Sequence, residues 1–222
     1  GPAKRLPLLP ARPNGIVPPV TPPEGLSGEV LRVGPGGETD FPRPPQGRIV
    51  VLDYNSPRGW LAAFREGAKA VVFTRTAAPR SWNALHADAD ANLPRFYYEG
   101  DPSDIPDGSR VVIRSEVTWA GAVGRNVFGL LRGTSPRFQM DLPEVIVLAA
   151  HIDSYGEVPH RSPGARAAAN CAALLKIAER LRASPPARHV LFAFFDAQAR
   201  GHAGSSAFYR VFEDSRSYAV HI

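Results

Sequence analysis

Short apolar, β-branched runs alternate with helical patterns along most of this chain, and their order predicts a mixed α/β protein. Residues 29–33 read as a strand closed by the turn Gly34-Pro35-Gly36-Gly37. Residues 48–52 form an unbroken apolar run behind a Pro/Gly turn, and residues 70–74 form another. Between these runs Trp60, Leu61 and Phe64 fall at helical spacing, and the predicted helix stops at Gly67. A loop then leads to the apolar and aromatic residues 93–98. Residues 110–119 predict a further strand, with Val111 and Ile113 on one face and Arg110, Val112 and Arg114 on the other.

The second half repeats the alternation with longer elements. Residues 127–131 and 145–150 predict strands, and a helix is expected after Ser162-Pro163, with serine as N-cap and proline at the first helical position. Its expected core face is Leu174, Ile177, Ala178 and Leu181, with Lys176, Glu179, Arg180 and Arg182 outward and Pro185-Pro186 as the stop. Residues 190–195 are apolar throughout, as a central strand covered on both faces should be. Residues 205–212 suit a helix and residues 218–222 open another strand. Residues 1–24 carry proline at 2, 7, 10, 13, 18, 19, 22 and 23, and are expected to be an extended tail or linker.

Composition narrows the function classes. A hydrophobic fraction of 44% is that of an ordinary globular protein. Basic residues outnumber acidic ones, 26 to 21, for a net charge of +5 and a pI near 9.7. The positive charge is scattered arginine, with Lys4, Lys69 and Lys176 the only lysines, and no nucleic-acid motif accompanies it, so no nucleic-acid partner is expected. Cys171 is the only cysteine, which rules out an intrachain disulfide, and it falls on an alanine-rich helical run as a small core thiol. No apolar run reaches the roughly 18 residues of a membrane span. The opening Gly1-Pro2 resembles a protease-cleavage remnant, so native residues are expected upstream.

The chemistry gathers in residues 144–206. Strands 145–150 and 190–195 end in His151-Ile152-Asp153 and in Asp196-Ala197-Gln198-Ala199, and in an open α/β sheet such carboxyl ends face a shared crevice. From the residues alone, His151 reads as a strand-end histidine paired with Asp153, and Asp196 as the cap of the turn after its strand. His160 and His202 lie near the expected crevice and could assemble a metal site with His151 and Asp153, although no spacing demands it. Arg166 and Arg200 flank the crevice; they read first as two solvated arginines, with a positively charged crevice that takes an anion or a peptide carboxylate as the alternative. A second run, His86-Ala87-Asp88-Ala89-Asp90, has alternating ligand-type residues but reads as a polar surface loop. No G-x-S-x-G elbow occurs, which argues against a serine hydrolase.

Four pieces of this half, "GRNVFGLLRG", "VIVLAAHIDS", "SPGARAAANCAALLKIAERL" and "RHVLFAFFDAQARGHAGSSAFY", resemble the M28 family of zinc aminopeptidases, which includes inactive relatives. The resemblance implies an α/β sandwich around a central mixed sheet, of which about half is present. It puts His151 at a zinc-ligand position and Asp153 at the position of the aspartate that orients it. It puts Ala167 at the metal-bridging aspartate, Gln198 at the general-base glutamate and Ala199 at the following ligand glutamate. The remaining ligands of the family pattern fall beyond Ile222. A catalytic zinc takes about three protein ligands plus water, and a neutral glutamine amide cannot accept a proton from water, so these replacements imply no catalytic residues and no metal.

Residues 25–122, through "GRIVVLDY", "GWLAAFREGAKAVVF" and "LPRFYYEG", resemble the protease-associated (PA) domain, a β-rich module without chemistry of its own. The expected organisation is a proline-rich tail over 1–24, a PA-like module over 25–122 and a partial M28-like domain over 123–222. The expected function is that of a pseudopeptidase without cofactor. It would bind a peptide or protein partner through the PA surface and the vestigial crevice of His151, Asp153, Arg166, Ala167, Gln198 and Ala199, using N–H groups near residues 163–165. The chain is expected to be part of a larger polypeptide, with completion of the fold by another chain as the alternative. Two other functions stay open: an active zinc-dependent hydrolase with a rebuilt metal site, and a structural domain of a membrane-anchored assembly. The PA resemblance implies an extracytoplasmic location.

Overall fold

The structure, a computed structural model, describes residues 4–11, 19–36, 41–56, 58–75, 91–118, 120–135, 144–154, 156, 158, 161, 164–198, 200–215 and 219–221. The fold is α/β with mixed sheets, in two compact units: Gly1–Ala120 with Gly156–Ser162, and Gly121–Tyr155 with Pro163–Ile222.

Unit 1 is built on β1 (Leu9–Pro10), β2 (Leu26–Gly34), β3 (Ile49–Asp53), β4 (Ala70–Thr74), β5 (Arg95–Tyr98) and β6 (Arg110–Ile113), in a six-stranded sheet of order β1-β5-β4-β3-β2-β6. The inner strands β2 to β5 run parallel, and the edges β1 and β6 are antiparallel to their neighbours. The pleat divides each inner strand between two cores. Leu31, Val50, Leu52, Val71, Phe73 and Tyr97 join one, and Val30, Ile49, Val51, Val72, Phe96 and Tyr98 the other. This double burial is why the inner strands read as unbroken apolar runs rather than alternating ones.

The crossover from β3 to β4 is helix α1 (Gly59–Arg65), which buries Trp60 and Ala63 in the first core. It stops where the sequence said, by a Schellman motif: Gly67 takes φ +77, its N–H donates to Phe64 O, and the Ala68 N–H donates to Ala63 O at 2.9 Å. Val158, from the 156–162 segment, is fully buried in the same core.

The proline-rich start departs from a free linker. Leu9–Pro10 pairs with β5, Leu6 and Leu8 pack on one core, and Ala11 is buried in the other. Proline lacks a donor, so an edge strand is where this sequence can be accommodated. The strand expected over 110–119 is shorter, ending at Ile113, which pairs with Leu26, the first residue of β2.

Unit 2 has β7 (Val127–Leu131), β8 (Glu144–His151), β9 (His189–Phe195) and β10 (Ala219–His221), in a four-stranded sheet of order β10-β8-β9-β7. β10, β8 and β9 are parallel and β7 is antiparallel. Helices α2 (Ala165–Ala183) and α3 (Ala203–Ser215) serve separate cores. Val190, Phe192 and Phe194 of β9 pack with Cys171, Leu174, Ala178 and Leu181 of α2. The intervening Leu191, Ala193 and Phe195 pack with Phe208 and Tyr209 of α3.

Two details of α2 differ from expectation. Ile177 is not part of the core face: it is 40% exposed, against 8% for Leu174. At ~100° per residue the stripe Cys171, Leu174, Ala178, Leu181 leaves Ile177 off to one side. The helix also begins later than a cap at Ser162 would require. Gly164 is the N-cap and contributes no side-chain hydrogen bond, while Ser162 and Pro163 lie outside the described residues.

Candidate functional site

β8 and β9 pair in parallel with His151 beside Phe195, so the two strands end level with each other. The Ile152 N–H donates to Phe195 O at 2.9 Å and extends the pairing one residue past the strand. His151 and the Asp196 turn are thereby brought to one place, as the strand-end argument required. The Cys171 thiol of α2 donates to His151 O at 3.3 Å, which ties the helix to this strand end.

The Nδ1 of His151 is buried and has no hydrogen-bond partner among the described residues, in a fold where buried polar atoms are normally satisfied. The ring stands 6.5 Å from that of Phe195 and 6.1 Å from that of His202, centroid to centroid, tilted by 52° to the latter. Of the two histidines considered as partners, His202 is thus beside His151, while His160 lies outside the described residues.

Asp196 is a turn cap. Its Oδ1 accepts from the Ala197 N–H at 2.7 Å and its Oδ2 from the Arg125 N–H at 3.0 Å. The Arg125 bond first, then the Ala197 bond, holds the carboxyl below its ordinary pKa by stabilising the anion. The backbone beyond it is strained at Ala197 and His202, both at φ +57, while Gly201 takes φ +66 without cost. The turn closes through the Arg200 N–H to Ala197 O, the His202 N–H to Gln198 O and the Ala203 N–H to Ala197 O.

Asn126 and Gly204 complete this construction, and neither stood out in the sequence. Asn126 Oδ1 accepts the Asp196 N–H at 3.1 Å, and its Nδ2 donates to Gly204 O at 2.9 Å. A Cβ at Gly204 would lie 2.2 Å from Asp196 O and 2.6 Å from Asn126 Oδ1, so only glycine fits. The partners of Asn126 are 70 and 78 residues away, which is why no local pattern reveals it.

The other site positions carry little chemistry. Ala167, half-buried in the first turn of α2, offers a methyl where the resemblance expects a bridging carboxylate, and Gln198 is exposed. Arg166 and Arg200 are exposed as well. Ala199 and the whole 86–90 run lie outside the described residues. Among the described residues, no three His, Cys, Asp or Glu side chains converge where a metal ion could be held. The described residues by themselves therefore do not supply the roughly three protein ligands that a catalytic zinc takes. No helix among the described residues is long and apolar enough to cross a membrane.

No curated protein sequence matches the chain. Among solved structures it is similar to BSAP, a zinc aminopeptidase from Bacillus subtilis, with a TM-score of 0.55 and 18% identity over 85% of this chain and 46% of that one. It is also similar to nicastrin, the gamma-secretase component, with a TM-score of 0.53 and 17% identity over 92% of this chain and 46% of that one. The chain thus spans about half the length of either, and at these identities the likeness is one of fold. Residues 126–221, which hold His151, the Asp196 turn and His202, match the sequence profile of peptidase family M28.

Proposed function

We propose that the chain is a non-catalytic relative of the M28 peptidases that binds a peptide or protein partner. In this reading unit 1 is a PA-like module and contributes binding surface, and the strand-end crevice of unit 2 contributes a second surface. The supporting observation is the set of side chains at the positions where the family resemblance expects metal and base. A methyl stands at Ala167 and an exposed amide at Gln198, and the imidazole of His202 stands beside His151. Neither a methyl nor an amide binds a divalent cation strongly or takes a proton from water. Peptide recognition here would rest on the unbonded N–H groups of the first turn of α2, whose cap residue Gly164 leaves them uncovered, and on the exposed Arg166. The PA-like reading places the protein outside the cytoplasm. Elemental analysis of the purified chain tests the proposal. It should hold no stoichiometric zinc and should not cleave aminoacyl substrates, whereas bound zinc with chelator-sensitive cleavage would refute it.

A second reading, an active zinc-dependent hydrolase with a rebuilt site, is favoured by the unbonded Nδ1 of His151 and the nearby His202. It requires that His151→Ala and His202→Ala each abolish zinc uptake, measured by titration of the metal into the apoprotein.

A further inference from the structure

A cavity of about 250 Å³ lies in unit 1, beside the amino ends of β3 and β4 and outside the crevice described above. Its wall includes Arg48, Lys69 and Arg110, the polar side chains of Ser27 and Gln46, and one carboxylate, Glu29. The charges do not balance. Glu29 Oε1 is shared between Arg48 Nε at 3.4 Å and Arg43 at 3.5 Å, both long contacts, while Arg43 makes its short bond to Asp107 at 2.7 Å. Lys69 Nζ donates to Ser27 O at 2.9 Å, which leaves two of its protons unassigned. Arg110 stands directly across from Glu29 in the β2–β6 register, so the pleat turns both side chains to one side of the sheet. Yet the Arg110 guanidinium makes no hydrogen bond or ion pair among the described residues.

Like charges around a concavity repel, and their fields add over this open, solvent-facing depression. An anion there would relieve the repulsion and take up the free donors of Arg110, Lys69, Gln46 and Ser27. These donors come from four separate segments of chain. They match the several oxygens of a tetrahedral group better than the two of a carboxylate. Gly47, at φ +73, helps keep the rim low, since the left-handed backbone there excludes most side chains.

We propose that this cavity is a binding site for a tetrahedral oxyanion, a phosphate or sulfate group carried by a small molecule. The site is independent of the peptidase-like crevice and of whether that crevice is catalytic.

The test is an amide NMR titration of the full chain with inorganic phosphate at constant ionic strength. Saturable shifts are expected at residues 27–29, 46–48, 69 and 110. Removing one charge-assisted contact by Arg110→Ala or Lys69→Gln should weaken binding about tenfold or more. Glu29→Gln, which removes the competing carboxylate, should strengthen it. Inorganic sulfate as a second probe separates the sources: equal binding defines a general oxyanion site, and phosphate-only binding a phosphate site. Linear, unsaturable shifts, or phosphate affinity unchanged in Arg110→Ala, would overturn the proposal. So would weaker binding in Glu29→Gln with the fold intact by circular dichroism.

Discussion

Gly204→Ala sets two known effects against each other. Intrinsic helix propensity favours alanine over glycine by up to about 1 kcal/mol in a helix interior, and less at the second residue of α3. Against this, the new methyl would sit 2.2 Å from the backbone oxygen of Asp196 and 2.6 Å from Asn126 Oδ1. Carbon contacts are comfortable only beyond roughly 3.5 Å, so the helix start must retreat by about 1 Å. That movement breaks the Asn126 Nδ2–H bond to Gly204 O and weakens the Asp196 N–H bond to Asn126 Oδ1. At about 1 kcal/mol for each bond, plus repulsion that relaxation does not remove, the loss is about 2–4 kcal/mol. The clash therefore outweighs the propensity gain, and a net destabilisation of about 1–3 kcal/mol is expected. Urea unfolding followed at 222 nm suits the measurement. α2 and α3, of 19 and 13 residues, dominate that signal over the 7 residues of α1. The midpoint should fall by about 1 M. Gly129→Ala on β7, where a Cβ meets nothing within 4 Å, is the control and should leave it unchanged. A Gly204→Ala protein as stable as the original would show that α3 does not abut the Asp196 turn this closely.

Three further outcomes follow from packing and charge. Leu174→Ala should cost about 2–5 kcal/mol and Ile177→Ala under about 1 kcal/mol by the same 222 nm assay; equal losses would mean that α2 is rotated from the orientation described. Val158→Ala removes a fully buried side chain from the first core of unit 1 and should cost about 2 kcal/mol. Tryptophan fluorescence reads this change, because Trp60, Trp82 and Trp119 all precede residue 121, where unit 2 begins; an unmoved transition would show that the 156–162 segment is not docked there. The Asp196 carboxyl, held below its ordinary pKa, contributes stability that is present above about pH 4 and is lost as pH falls through the depressed value. Asp196→Asn should flatten the acid limb of the stability–pH profile of unit 2, and an unchanged limb would exclude the capping role.

What was legible in the sequence was whatever one segment decides for itself. The runs that became β3, β4 and β9 are apolar on both faces because each strand separates two cores, and a run of that kind shows without knowledge of its neighbours. Gly67 announced the end of α1 because a left-handed residue is a local requirement. Ile177 misled because an apolar residue next to an apolar stripe looks the same in sequence whether it faces the sheet or water. The strand within Leu9–Pro10 was hidden because proline composition argues for extended chain but not for what the chain pairs with.

The site shows the same division in sharper form. Strand-end geometry alone was enough to bring His151 and Asp196 together, since both positions follow from where two parallel strands stop. Asn126 is the side chain that joins the Asp196 turn to α3, and it does so through groups far away in sequence. Its role is set by register between β7 and β9, where Val127 lies beside Phe194, and that register is a property of the assembled sheet. The same holds for His202, whose approach to His151 depends on the left-handed residues Ala197, Gly201 and His202 itself. The sequence offers His202 as a candidate partner of His151, yet no spacing demands it, because the distance that matters is across the strand ends and not along the chain. The turn after β9 is therefore held by its backbone bonds, by Asn126 and by the missing side chain at Gly204. None of the hydrogen bonds that close this turn uses the Gln198 side chain, whose backbone oxygen alone takes part, so the shape of the turn does not depend on what that side chain does chemically.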